Sequence, residues 1–251
     1  MNGTKAYSPN VEKIAAVLAR RYRDWDHYNR RNPLEELLFI LCSIQTNEEL
    51  YRQTFSAMRR HFPTFESLAD ATESEIASAM VNGGLSKQKA RKIKQLLSDV
   101  TARFGRPTLA PLKQLADDER ERFLISLLGV GKKTARCVMM YSLGSQVFPV
   151  DLHCWRICRR LGWVRPTRLD KSCSPKDMDR LQTKIPPSLR FSLHVNLVSL
   201  GRDICTTRQP KCSTCPIRRY CRRIGVRAQS SISTRAMTSA TSRGRGYSRA
   251  T

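Results

Sequence analysis

The sequence predicts an all-α fold of roughly nine or ten helices, on three observations. Capping residues, several paired with proline, recur just ahead of apolar residues at helical spacing. Glycines stand where those periodic segments stop. No sustained apolar/polar alternation bounded by turns marks a strand.

Taken in order, Ser8-Pro9 is read as a cap followed by proline at the first helical position, ahead of Val11, Ile14, Val17 and Leu18. Asn32-Pro33 opens a second helix in the same way. Thr72 with Glu75 has the spacing of a capping box before Ile76. Ser86 is read as the cap of a helix carrying Ala90, Ile93, Leu96 and Leu97. Asp117 and Asp118 precede Phe123, Leu124, Leu127 and Leu128, where anions suit the positive end of a helix dipole. Gly144 and Gly162 are stops, and Ser174-Pro175 and Pro187-Ser188 are later starts.

The chain has 251 residues, enough for one large domain or two small ones, and 40% of them are hydrophobic. Lys and Arg number 45 against 21 Asp and Glu, a net charge of +24. Such an excess points to a polyanionic partner, the alternative being a solvated basic surface. The longest apolar run, Leu37 to Cys42 with Ile44 beyond, is of core-helix length and does not span a bilayer. The N-terminal MNGTKAYSPN lacks an apolar targeting stretch, so an intracellular location, cytoplasm or nucleoid, is expected. In a reducing compartment nine cysteines are not a disulfide framework, and clustered ones should bind metal. From about Val226 the chain turns to Ser, Thr, Arg and Ala with five arginines and no acid, which predicts a disordered basic tail over 226–251.

Leu127-Leu128-Gly129-Val130-Gly131-Lys132-Lys133-Thr134-Ala135 reads as a helix end, a two-glycine turn and a new helix. Glycines let a backbone come close to a ligand, and a helix N-terminus offers free N–H groups to phosphate. A tight helix–helix turn is the ordinary reading of Gly-x-Gly, and a clamp on a DNA backbone is the other. Asp151, eighteen residues after Lys133, is on spacing alone a helix cap for Leu152 to Leu161. Cys205, Cys212, Cys215 and Cys221 form C-x6-C-x2-C-x5-C, four thiols on a short loop that suit zinc or an iron–sulfur cluster.

LLGVGKKTA followed by PVDLH resembles the helix-hairpin-helix DNA glycosylase superfamily, whose hairpin reads Leu-Pro-Gly-Val-Gly-x-Lys-Thr-Ala and is followed by Val-Asp-x-His. The resemblance covers roughly residues 10 to 225 and implies Lys133 as nucleophile and Asp151 as its catalytic partner. Purely hydrolytic members, such as adenine glycosylases, tend to lack an amine there, so the lysine implies the bifunctional endonuclease III branch. The cysteine spacing is similar to that branch's cluster loop, which implies a [4Fe–4S] cofactor on the four cysteines. Gly129, Gly131, Lys132 and Thr134 would hold the DNA backbone. Gln45, after an apolar helix, and Leu85, in Gly84-Leu85 before Lys89-Ala90, match positions that fill the stack left by an extruded base; a helix-end polar residue and a core leucine are the plain alternatives.

The implied architecture is a two-domain helix-hairpin-helix glycosylase fold. A helical barrel domain takes 27–146, and 1–26 with 147–225 form the cluster domain. The implied function is base-excision repair of oxidised pyrimidines in double-stranded DNA by a monomer that also cuts abasic sites, with no membrane partner. A monofunctional mismatch or adenine glycosylase, and a non-catalytic DNA-binding module with a zinc-loaded loop, are the competing readings. Three departures bear on the lesion: Leu128 for the hairpin proline, Thr46-Asn47-Glu48 for Ala-Thr-Asp, and Leu200 where His often precedes Gly-Arg. Burial, Lys132 and the helix N-terminus are expected to lower the Lys133 pKa, with Asp151 acting against them.

Overall fold

The computed structural model describes residues 7–25, 27–80, 84–164 and 172–226. The predicted tail therefore lies outside the described residues from 227 on. Among the described residues the chain forms eleven α-helices and no strand. They are α1 (Val11–Tyr22), α2 (Pro33–Ser43), α3 (Glu48–His61), α4 (Phe65–Asp70), α5 (Glu73–Ala79), α6 (Ser86–Phe104), α7 (Asp117–Ser126), α8 (Lys132–Ser142), α9 (Leu152–Leu161), α10 (Pro175–Thr183) and α11 (Arg190–Asp203). Short 3-10 turns precede α7 and α11 and carry much of the segment after α11.

Helices start as expected where a side chain can take the orphan N–H groups. Asn32 accepts from Leu34 and Glu35, Thr72 forms its box with Glu75, and Ser174 accepts from Asp177. Two starts differ. Helix α1 begins behind Asn10 in a left-handed conformation, while Ser8 is buried and its N–H bonds the Lys184 carbonyl. Helix α6 begins behind Leu85, also left-handed, so Ser86 is its first residue rather than its cap. Helix α4, six residues held by a Thr64–Ser67 box, is an element the periodicity does not signal.

The buried apolar residues fall into two clusters. One gathers residues from Leu34 to Val147, with α2 packed on α3 and α8 and α7 on α8. The other joins Val11–Leu18 of α1 to residues from Phe148 to Ile217, with α11 between α1 and α9. Val147 and Phe148, neighbours in the chain, belong to different clusters. Charges stitch the clusters together. The Lys132 ammonium bonds both oxygens of Asp179 on α10, at 2.8 and 2.7 Å, and lies 3.5 Å from Glu121 on α7. Arg136, buried, donates to Glu121 at 2.6 Å and to Asp179. No helix among the described residues is long and apolar enough to cross a membrane.

Candidate active site and cluster loop

The hairpin is the turn between α7 and α8. Gly129 has φ +82°, a left-handed conformation that favours glycine; a Cβ there would meet the Lys92 side chain at 2.9 Å, which that flexible chain can yield. Gly131 is different: its φ is −91° and a Cβ would meet nothing within 4 Å. It is the residue before the first turn of α8, which has no side-chain cap, and this leaves N–H groups open to an anion. Leu128, in place of the expected proline, is 45% exposed at the turn. Thr134 is partly buried on that first turn. Lys132 does not stand free beside the turn, because Asp179 and Glu121 hold it.

Lys133 points the other way. It lines a cleft of about 720 Å³ together with Asp151, His27, Asn29, Tyr141 and His194 among others. Lys133 comes from the first cluster's helix α8, and Asp151 stands at the start of α9 in the second. Among the described residues no ion pair joins the two side chains. Asp151 does cap α9, its Oδ1 accepting the Cys154 N–H at 2.7 Å. Burial works against its charge, yet His194, the Cys154 N–H, His153 and Lys133 together hold it below the usual carboxylate range. Burial presses His194 down to about 4 against the pull of Asp151, and its Nδ1 lies 2.9 Å from the Pro149 carbonyl.

The Lys133 pKa moves opposite to expectation. Cys137, one turn along α8, raises it first, and Asp151 and Glu36 add to that, so burial is outweighed. Burial pushes the Cys137 thiol itself up to about 11, so near neutrality the lysine is an ammonium beside a neutral thiol, with Asp151 favouring its charge.

Gln45 and Leu85 are both exposed and both left-handed, with φ 52° at each. Neither is glycine, so each turn holds a conformation that costs about 1 kcal/mol or more. Leu85 is 44% exposed, which sets aside the core-leucine alternative. Lys89 ties the two turns together. Its ammonium, buried, donates to the Cys42 carbonyl at 2.8 Å and to the Thr46 hydroxyl at 2.7 Å. Thr46, one of the departures, thus has a structural partner.

The four loop cysteines border one concavity of about 410 Å³ with Ile157, Leu200 and Ile217. Arg160 donates to the Cys205 sulfur at 3.0 Å, and the Arg223 N–H to the Cys221 sulfur at 3.4 Å. Among the described residues no three His, Cys, Asp or Glu side chains close on a point as they would round a single ion.

Sequence reasoning missed Glu36, Asn29, His27 and His194. Only Glu36 carries a local signal, an acid inside the run Glu36-Leu37-Leu38-Phe39-Ile40-Leu41-Cys42.

The model of the HhH-GPD superfamily of base excision DNA repair proteins matches residues 40–184. The chain belongs to that superfamily. It is 35% identical over 173 residues to the protein At3g47830 of Arabidopsis thaliana, covering 69% of this chain and 57% of that one. To endonuclease III of Thermotoga maritima it is 24% identical over 212 residues, covering 84% and 92%. The chain spans little more than half of the first of these relatives and a far smaller share of the longest plant chains that it matches. Among solved structures, a trapped endonuclease III–DNA covalent intermediate superposes with TM-score 0.72 at 25% identity, covering 88% of this chain and 97% of that one. An HhH-GPD chain of endonuclease III-like fold is thus a member of a DNA glycosylase family, and its hairpin, Lys133 and Asp151 all fall inside the matched span.

Proposed function

We propose that the chain is a bifunctional DNA glycosylase and abasic-site lyase that removes oxidised pyrimidines from double-stranded DNA. The observation that carries this reading is one cleft lined by an amine and an ionised carboxylate brought from different clusters. The amine favours the lyase over the purely hydrolytic alternative. The pair together argues against a non-catalytic module.

A base inside a duplex cannot reach this cleft, so the nucleotide must leave the stack. Gln45 and Leu85, on strained exposed turns that Lys89 joins, are suited to fill the gap. The open first turn of α8 would hold phosphate without reading sequence. Lys133, once it has given up a proton, attacks C1′. A C1′–N bond forms to the lysine as the bond to the base breaks, and the base leaves with its electron pair. Ring opening gives the protonated Schiff base, and loss of a C2′ proton expels the 3′ phosphate by β-elimination. Asp151, held ionised, stabilises the positive charge that grows on the sugar. Because Lys133 is held as an ammonium, adduct formation should rise with pH above neutrality.

The donor set of the loop fits a [4Fe–4S] cluster: four thiols around one concavity, with N–H groups aimed at two of the sulfurs. Cys205, Cys212, Cys215 and Cys221 would hold it, and it would supply stiffness to a loop with little core of its own. The two clusters of buried residues support a barrel domain at 27–146 and a cluster domain built from 1–26 and 147–225.

Borohydride trapping tests the reading. Duplex DNA carrying thymine glycol or an abasic site should each give a covalent protein–DNA band, and Lys133→Gln should give none. A band with the abasic site alone keeps the lyase and rejects the oxidised-pyrimidine substrate. Tight DNA binding with no band moves the reading to a hydrolytic enzyme or a binding module.

A further inference from the structure

Glu36 is a buried acid that the proposed reaction does not use. Its side chain has no exposed surface, although it sits on α2 amid Leu34, Leu37 and Leu38. An uncompensated carboxylate in such a place would be costly, and this one is answered. Asn29 donates its amide N–H to one oxygen, and the Arg30 backbone N–H donates to the other at 2.6 Å. The Arg30 carbonyl in turn accepts the Ser142 hydroxyl of α8 at 2.6 Å. The carboxylate therefore pins residues 29 and 30 between α2 and α8, which pack on each other. Asn29 is also part of the wall of the cleft that holds Lys133 and Asp151. Glu36 stands one layer behind that wall.

We propose that Glu36 is a positioning residue for Lys133: it fixes Asn29 in the wall of the Lys133 cleft and stands behind that wall as a second buried carboxylate. This rests on Lys133 being the nucleophile. The groups that face Glu36 are Asn29 and Arg30 from the connection before α2, and Lys133, Cys137 and Tyr141 from α8, with Asp151 beyond them. Burial first raises Glu36 to about 7, against the pull of its two hydrogen bonds and of Lys133. Lys133 feels Glu36 in return, after Cys137 and Asp151. A carboxylate that changes charge near neutrality thus lies against the amine that must lose a proton.

The test is the pH profile of borohydride trapping on an abasic duplex in single turnover. Glu36→Gln removes the charge and keeps the shape. Its half-maximal pH should fall by about one unit with affinity for the duplex unchanged. Glu36→Leu, which replaces the acid with an apolar group of similar bulk, keeps the test open should the glutamine variant not fold, and should shift the same way. Asn29→Ala breaks the same wall and removes one of the two hydrogen bonds that favour the ionised acid; it should slow trapping and lower the midpoint by less than Glu36→Gln does. Lys133→Gln, run beside them, should trap nothing. Profiles of folded Glu36 variants that superimpose on the parent overturn the role of Glu36. A midpoint that falls equally in Asn29→Ala also overturns it, since the wall alone would then explain the shift. A band that survives in Lys133→Gln overturns the nucleophile reading itself, and the inference with it.

Discussion

Asp151→Asn should slow base release in single turnover by roughly 10²–10⁴-fold while the thermal midpoint stays almost where it is. The aspartate has two functions that this substitution separates. Its Oδ1 caps α9 through the Cys154 N–H, and its charge faces the cleft of Lys133. Asparagine caps a helix about as well as aspartate, so the first function survives. The charge does not, and with it goes the anion proposed to answer the positive charge developing on the sugar. Asp151→Ala, by contrast, should lose the rate and about 1 kcal/mol of stability as well, because the Cys154 N–H is left without its acceptor. Rapid-quench measurement of base release, paired with thermal melts, reads both quantities. Parent-like rates for Asp151→Asn in both base release and strand cutting would remove Asp151 from the mechanism.

Cys212→Ala should have the largest effect on stability, more than about 4 kcal/mol. From Ile204 to Val226 only Ile204, Pro210 and Ile217 are buried, and the backbone makes no more than isolated 3-10 turns. Such a segment cannot hold itself by apolar burial and depends on what its thiols bind. Its loosening would spread, because Arg160 of α9 spends its guanidinium on the carbonyls of Cys205, Thr206 and Thr207. The expected signs are loss of visible absorbance and iron, a lower melting midpoint and protease cleavage between Thr206 and Arg223. A variant that melts with the parent and resists protease would show that the loop is not held by its thiols. Zinc in place of iron in the parent protein would replace the cluster by a zinc site.

Much of the fold is legible where one residue decides an outcome locally. Asn32, Thr72 and Ser174 announce their helices because a side-chain oxygen meets backbone donors two or three residues on. The starts at Asn10 and Leu85 are hidden because the chain enters them through left-handed backbone, which asparagine tolerates at 10 but which nothing in the leucine at 85 signals. The pairing of Lys133 with Asp151 is legible only through the spacing of two motifs. The side chains around them are not. His194 and Asn29 reach the cleft from distant helices and connections, and nothing adjacent to either in sequence reports that convergence. The same limit explains the charge of Lys133. Lys132 and the helix N-terminus argue for a lowered pKa, but Cys137 one turn along α8, with Asp151 and Glu36 from elsewhere in the fold, reverses the direction. It also explains Lys132, whose acidic partner Asp179 lies 47 positions away.

The boundary between Val147 and Phe148 has a kinetic consequence. Every buried residue of the first cluster lies between Leu34 and Val147, one unbroken stretch. The second cluster needs α1 (Val11–Tyr22) against α11 (Arg190–Asp203), a contact that closes a far longer loop than any within the first cluster. Loop-closure entropy delays such long-range contacts relative to local ones, and chains fold N-terminal parts first as they are made. A nascent chain should therefore complete the body that carries Lys133 while α1 still waits for its partner, and α1 should dock last, after α9 has met α11. Pulse-labelled hydrogen exchange would show this as protection of α2 to α8 ahead of α1, α9 and α11; simultaneous protection would mean one cooperative unit. Lys133 would then stand, briefly, on a folded body without Asp151, so the proposed chemistry would wait for the second body to form.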